Sequence, residues 1–141
     1  MNHVTVDEFL AMQKRGTKGK SRGTHTAGTM NKTESAYAAI LDIRKVAGEI
    51  ARYEFEAVTF KLAEGCRFTP DFMVVFPMKF PSNSREFEFI DVKGGGPVED
   101  DALVKIKMAA KLFPEFGWAQ EKKQKKRDGG GWLRREFGGR P

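Results

Sequence analysis

Two aspartates and a lysine interrupt the apolar runs of this sequence. Asp71 follows Pro70 inside FTPDFMVVF (68–76), and Asp91 and Lys93 close the run EFEFIDVK (86–93). Alternate residues of a strand share a face, so Phe87, Phe89, Asp91 and Lys93 line up on one side, and Asp71 shares its side with Met73 and Val75. An antiparallel hairpin turning about residue 81 sets Asp71 opposite Asp91. Like charges facing each other across strands destabilise a sheet by up to about 1 kcal/mol, so the pair needs a cation. Mg2+ fits, with Mn2+ as a substitute, because it takes one or two carboxylates and fills its shell with water and phosphate oxygens. The chemistry of such a site is phosphodiester hydrolysis, in which the ion polarises the phosphoryl group and lowers the pKa of a bound water. Lys93 adds a compact ammonium beside that water, as charge stabiliser or, when neutral, as base. Glu34 could complete the ligand set from an earlier helix. Each residue also has a plainer reading: Asp91 with Lys93 as a salt-bridged strand end, Asp71 as a turn residue after proline, Glu34 as a capping residue alone.

The rest of the composition narrows the choice. One cysteine, Cys66, and two histidines, His3 and His25, make neither an internal disulfide nor a Cys/His zinc cage, so any metal is held by oxygen. At 141 residues, 40% hydrophobic and with 12 Phe, the chain suits one globular domain with room for arms. No apolar run reaches the roughly 20 residues that cross a bilayer, and Asp7 and Glu8 interrupt the start where a secretory signal needs an apolar stretch. The expectation is a soluble, cytoplasmic protein with no membrane partner.

Elements that could position these side chains are legible in the pattern. Asn31 followed by Glu34 reads as a capping box, and Gly48 as the stop of a helix over about 32–47 with an inner stripe of Tyr37, Ile40, Leu41 and Ala47. Period-two alternation through Ile50, Tyr53, Phe55, Val58, Phe60 and Leu62 predicts one or two strands up to the turn at Glu64 and Gly65. Strands at about 66–76 and 86–93 then pair as a long hairpin. Gly94–Gly96 break the second, and Pro97, Glu99, Asp100 and Asp101 open a helix over about 98–112 with Leu103, Ile106, Ala110 and Phe113 inward. Short strands at 116–120 and 132–137 flank the loop KKQKKRDGGG. Helices alternating with strands predict an α/β fold, a central mixed β-sheet flanked by helices.

Charge is unevenly spread. The net charge is +6, yet residues 9–33 hold six basic side chains and no acid, residues 120–141 hold eight basic against three acidic, and the middle of the chain is acidic. A basic, flexible N-terminal arm (1–30) carrying Lys14, Arg15, Lys18, Lys20 and Arg22 would precede a single domain (31–141) that ends in a basic C-terminal hairpin or tail carrying Lys122, Lys123, Lys125, Lys126 and Arg127. Basic edges about an acidic centre suit a protein that grips a polyanion and keeps carboxylates for work. The plainer reading is that the arms are solvated and serve solubility.

These residues resemble a known family. Pro70-Asp71, then Asp91-Val92-Lys93, with Glu34 on a preceding helix and another helix following, resemble the PD-(D/E)XK nuclease superfamily over about residues 31–120. More narrowly, NKTESAYAAILDIRKVAGEI, FTPDFMVV and FIDVKGG are similar to small phage-encoded members. The resemblance implies a restriction-endonuclease-like αβββαβ core. It also implies a Mg2+-dependent DNA endonuclease in which Asp71 and Asp91 hold the metal, Glu34 assists and Lys93 orients or activates the water. Junction-resolving or branch-cutting work in phage DNA processing and recombination, inside the bacterial host, is the expected role. The interval from Asp71 to Asp91, twenty residues, is longer than in many members and implies an extended hairpin. The rival expectation is a non-catalytic nucleic-acid-binding protein using the basic arms alone. RNA fits as well as DNA, since phosphate contacts name neither polymer, and a homodimer stays open.

Overall fold

The capping box at Asn31 forms as the sequence predicts. Asn31 Oδ1 accepts the Glu34 N–H at 2.9 Å, and Glu34 Oε2 accepts the Asn31 N–H at 2.8 Å, so two donors left over at the helix start are satisfied. Helix α1 then runs Lys32–Val46 in a computed structural model that describes residues 28–78, 86–97 and 99–138. Gly48 ends it in the left-handed region (φ 76°), its N–H donating to Lys45 O while Glu49 N–H donates to Arg44 O, the paired bonds of a Schellman stop. The inner stripe is Glu34, Tyr37, Ala38 and Leu41. Ala47, expected inside, is exposed, because six residues beyond Leu41 the helix has turned it off that face; Ile40 is half-buried.

Residues 50–76 break into more strands than the pattern suggested. They are β1 (Arg52–Phe55), β2 (Phe60–Ala63), β3 (Cys66–Phe68) and β4 (Phe72–Val75). The single strand expected over 66–76 is cut at Thr69–Asp71, where Pro70 has no N–H to offer a ladder. Its two halves join different sheets. β3 pairs antiparallel with β2 across the Glu64–Gly65 turn, and β4 enters the main sheet between β1 and β5 (Phe87–Lys93). Helix α2 (Asp100–Leu112) starts two residues later than expected, with Glu99 at its N-cap. β6 (Gly117–Lys123) extends three residues past its expected end, and a short 3-10 turn (Lys126–Asp128) leads to β7 (Trp132–Phe137).

The fold is α/β, with a mixed five-stranded sheet in the order β1-β4-β5-β6-β7 and a separate two-stranded hairpin. β5 and β6 are its one parallel pair, which the α2 crossover between them requires; the other neighbours are antiparallel. One sheet face, with Phe72, Val74, Ile90, Val92 and Ala119, packs on Tyr37, Ala38 and Leu41 of α1. The other, with Met73, Val75, Phe89, Trp118 and Phe137, packs on Ile106, Ala109 and Ala110 of α2 and on Phe60, Leu62 and Phe68 of the hairpin. Leu103 and Phe113, expected in the α2 stripe, sit half-buried at its margin, and Ala109 is inside. Every residue of β4 is buried, as a strand covered on both faces must be.

Among the described residues, no helix is long and apolar enough to cross a membrane. The arm residues Lys14, Arg15, Lys18, Lys20 and Arg22 lie outside the described residues, as do residues 79–85, where the hairpin turn about residue 81 is expected. The packed part of the chain begins before residue 31: Gly28 N–H donates to Glu56 Oε2 at 3.1 Å, and Met30 packs on the α1-side core.

Candidate active site

Pairing of β4 with β5 decides where the two aspartates meet. The register matches Val75 with Phe87, Val74 with Glu88, Met73 with Phe89 and Phe72 with Ile90, so one further step brings Asp71 opposite Asp91. Past the end of β4 the Asp71 side chain takes over from the ladder: its Oδ2 accepts the Val92 N–H at 2.6 Å. Its carbonyl accepts the Glu56 N–H at 2.8 Å. Glu56 adopts φ 46°, a left-handed conformation that costs a non-glycine residue about 1–2 kcal/mol, and its bond to Asp71 helps hold that turn.

Asp91 is 4% exposed and is held from two sides. Lys93 Nζ lies 3.2 Å from its Oδ2, and Gln120 Nε2 donates to the same oxygen at 3.2 Å. Gln120 arrives from β6, whose parallel register matches Asp91 with Gln120 and Lys93 with Lys122. Parallel pairing therefore gathers Asp91, Lys93, Gln120 and Lys122 at one end of the sheet. The N-terminus of α1 reaches the same end: Glu34 is 5% exposed, and its charge acts on Asp71. The Gly94–Gly96 turn closes against the β6–β7 connection, where a Cβ on Gly95 would stand 3.3 Å from Lys125 Cγ and 3.4 Å from Lys123 O. Glycine permits that approach. Lys123 at the end of β6 and Lys125, Lys126 and Arg127 on this connection are exposed, and Lys122 is half-buried.

Burial and the neighbouring Asp91 charge push the Asp71 carboxyl up from 3.8 to about 8, with Glu34 adding to the rise and the Val92 N–H and Lys93 opposing it. Two carboxylates brought together without enough positive charge hold a proton in its place. A divalent cation satisfies the same demand. The donor set suits Mg2+, which needs only one or two carboxylates beside water and phosphate oxygens. Among the described residues, no three His, Cys, Asp or Glu side chains converge into a ready metal cage. Glu34 has Oε2 on its capping bond and reaches Asp71 through its field.

Sequence reading singled out Asp71, Asp91, Lys93 and Glu34; the structure brings Asp71, Asp91 and Lys93 together, while Glu34, expected as a third ligand, is held by its capping bond and acts on Asp71 through its charge without joining a three-carboxylate cluster among the described residues. Sequence reading missed Gln120, whose signal was faint: a neutral polar residue two positions after Trp118, at the end of a strand read as too short. A second polar cluster also went unread. Arg134 of β7 pairs with Glu121 at 3.1 Å, with Glu136 at 3.1 Å and with Glu88, tying three strands together on the α1 side, away from Asp91. Comparison of the chain with known family models, with curated proteins and with solved structures finds no match.

Proposed function

We propose that this protein is a Mg2+-dependent endonuclease acting on phage DNA, with its site at the Asp71–Asp91 end of the sheet. The observation that carries the reading is the register that sets two carboxylates opposite one another, with Lys93 Nζ 3.2 Å from Asp91. The element order supports it too. With β2–β3 taken as an insertion and β7 as an addition, α1, β1, β4, β5, α2 and β6 follow the αβββαβ order that the resemblance to PD-(D/E)XK nucleases implies.

Asp71 and Asp91 would hold the ion, which when bound supplies polarisation of the scissile phosphate and a water of lowered pKa. Asp71 gives up its proton to bind, and the Val92 N–H keeps its Oδ2 in place. Gln120 fixes Asp91 Oδ2, so Asp91 keeps a partner when Lys93 turns toward water or phosphate. Lys93 then orients the attacking water and offsets the charge that grows on the phosphate. Glu34 tunes the proton affinity of Asp71 from the α1 N-terminus. Lys122, Lys123, Lys125, Lys126 and Arg127 stand at the same end to meet the phosphate backbone, which they recognise by charge and not by sequence.

Incubation with linear, nicked, single-stranded and four-way-junction DNA, and with RNA, in Mg2+ or in chelator tests the reading. Cleavage is expected in Mg2+ only, with junction or branched DNA the preferred substrate. DNA binding without cleavage in either Mg2+ or Mn2+ would leave the rival, a non-catalytic nucleic-acid-binding protein on the same scaffold.

A further inference from the structure

Helix α2 has two faces of different kinds. Its inner face buries Ile106, Ala109 and Ala110 against the sheet. Its outer face carries a second apolar row at Val104 (59% exposed), Met108 (42%) and Leu112 (46%), spaced four residues apart and so stacked along one side of the helix. Scattered exposed apolar residues need no explanation, whereas these three form one continuous apolar strip along the helix. The charges beside this row are ordered along the axis. Asp100 and Asp101 occupy the first turn and Lys111 the last.

We propose that two copies of this chain pair through the outer faces of α2, antiparallel about a two-fold axis. Residues 101, 104, 108 and 111 alternate in steps of three and four, the spacing by which paired helices interlock. An antiparallel partner sets Val104 of each copy against Met108 of the other and Asp101 of each against Lys111 of the other. A parallel pair would set each charge against its own like and align the two helix dipoles. The face is therefore self-complementary only when antiparallel, as a two-fold interface requires. Acidic residues at one end of the row make it a poor surface for nucleic acid. Lys105 is already engaged by Asp101 of its own chain at 3.4 Å, which leaves that carboxylate shared between two ammonium groups in the pair. A 13-residue helix offers a contact roughly 20 Å long, so the interface falls below the standard size and the dimer is a weak one. Nothing in this inference depends on the nuclease reading.

Sedimentation velocity of the full-length chain over a concentration series should show a monomer–dimer equilibrium. Val104→Asp with Met108→Asp should weaken self-association by about tenfold or more while circular dichroism and melting show an intact fold. Asp101→Lys alone and Lys111→Asp alone should each be monomeric, since each sets like charges together twice. Mixed in equal amounts they should form a heterodimer, because every facing pair is then opposite in sign. A wild-type chain that stays monomeric at high micromolar concentration, a dimer untouched by the Val104 and Met108 changes, or a mixture that remains two monomers would each overturn the proposal.

Discussion

Asp91 and Lys93 can be separated from a merely structural ion pair by what their loss does. Asp91→Asn and Asp71→Asn should each abolish cleavage, and Lys93→Ala should lower it by orders of magnitude, while DNA binding measured by fluorescence anisotropy changes little. An Asp91→Asn protein that still cuts would remove the metal site from consideration. Glu34→Gln should reduce activity less, because glutamine also serves at the third position of a capping box. A second residue-scale test uses stability alone. Asp71 titrates near 8 in the folded chain and at its ordinary 3.8 when unfolded, so between those values the folded state binds more protons. Stability should therefore fall as pH rises from about 4 to about 8, then level off. Asp71→Asn should flatten that dependence. Millimolar Mg2+ or Mn2+ should raise the melting temperature most at the alkaline end, where the carboxyl no longer carries its proton. Equal melting temperatures at pH 5 and pH 8 in the metal-free protein would contradict the crowding of Asp71 by Asp91.

Elements carry these residues to one place, and their legibility in the sequence differed for physical reasons. The helix ends were readable because capping is local: Asn31, Glu34 and Gly48 each act within one turn. Asn31→Ala should cost about 1 kcal/mol, seen as a lower urea midpoint with an unchanged slope, and should also loosen Glu34 at the site end. The Asp71–Asp91 match was readable because strand register follows from two positions and one turn. The split of residues 66–76 was not. Pro70 signalled an interruption, but only the first half finds its partner locally, folding back on β2 across the Glu64–Gly65 turn, while the second half joins β1 and β5, which lie well away along the chain. Gln120 was hidden for the same reason, since only the parallel register of β6 on β5 gives it Asp91 as a partner. Long-range pairing is fixed by the packing of both sheet faces, and a window of neighbouring residues does not contain it.

At the scale of the whole molecule the question is whether the basic edges serve the acidic centre. The exposed Lys123, Lys125, Lys126 and Arg127 stand at the end of β6 and on the connection after it, which packs against Gly95, two residues beyond Lys93, so that group belongs to the same end of the sheet as the carboxylates. If these side chains neutralise phosphates, each contact releases a condensed counterion and adds about 0.9 to the slope of log K against log salt. Changing Lys122, Lys123, Lys125 and Lys126 to glutamine should therefore flatten the salt dependence of DNA binding. Deleting residues 1–27, which removes Lys14, Arg15, Lys18, Lys20 and Arg22, should flatten it too, while the core keeps its cooperative melting because the packing of Met30 and the α1 cap survive. The two effects should add if the groups touch separate phosphates. An unchanged salt slope in both variants would mean that these charges only solvate the surface, and DNA contact would then have to come from elsewhere, first of all Lys105, Lys107 and Lys111 on α2.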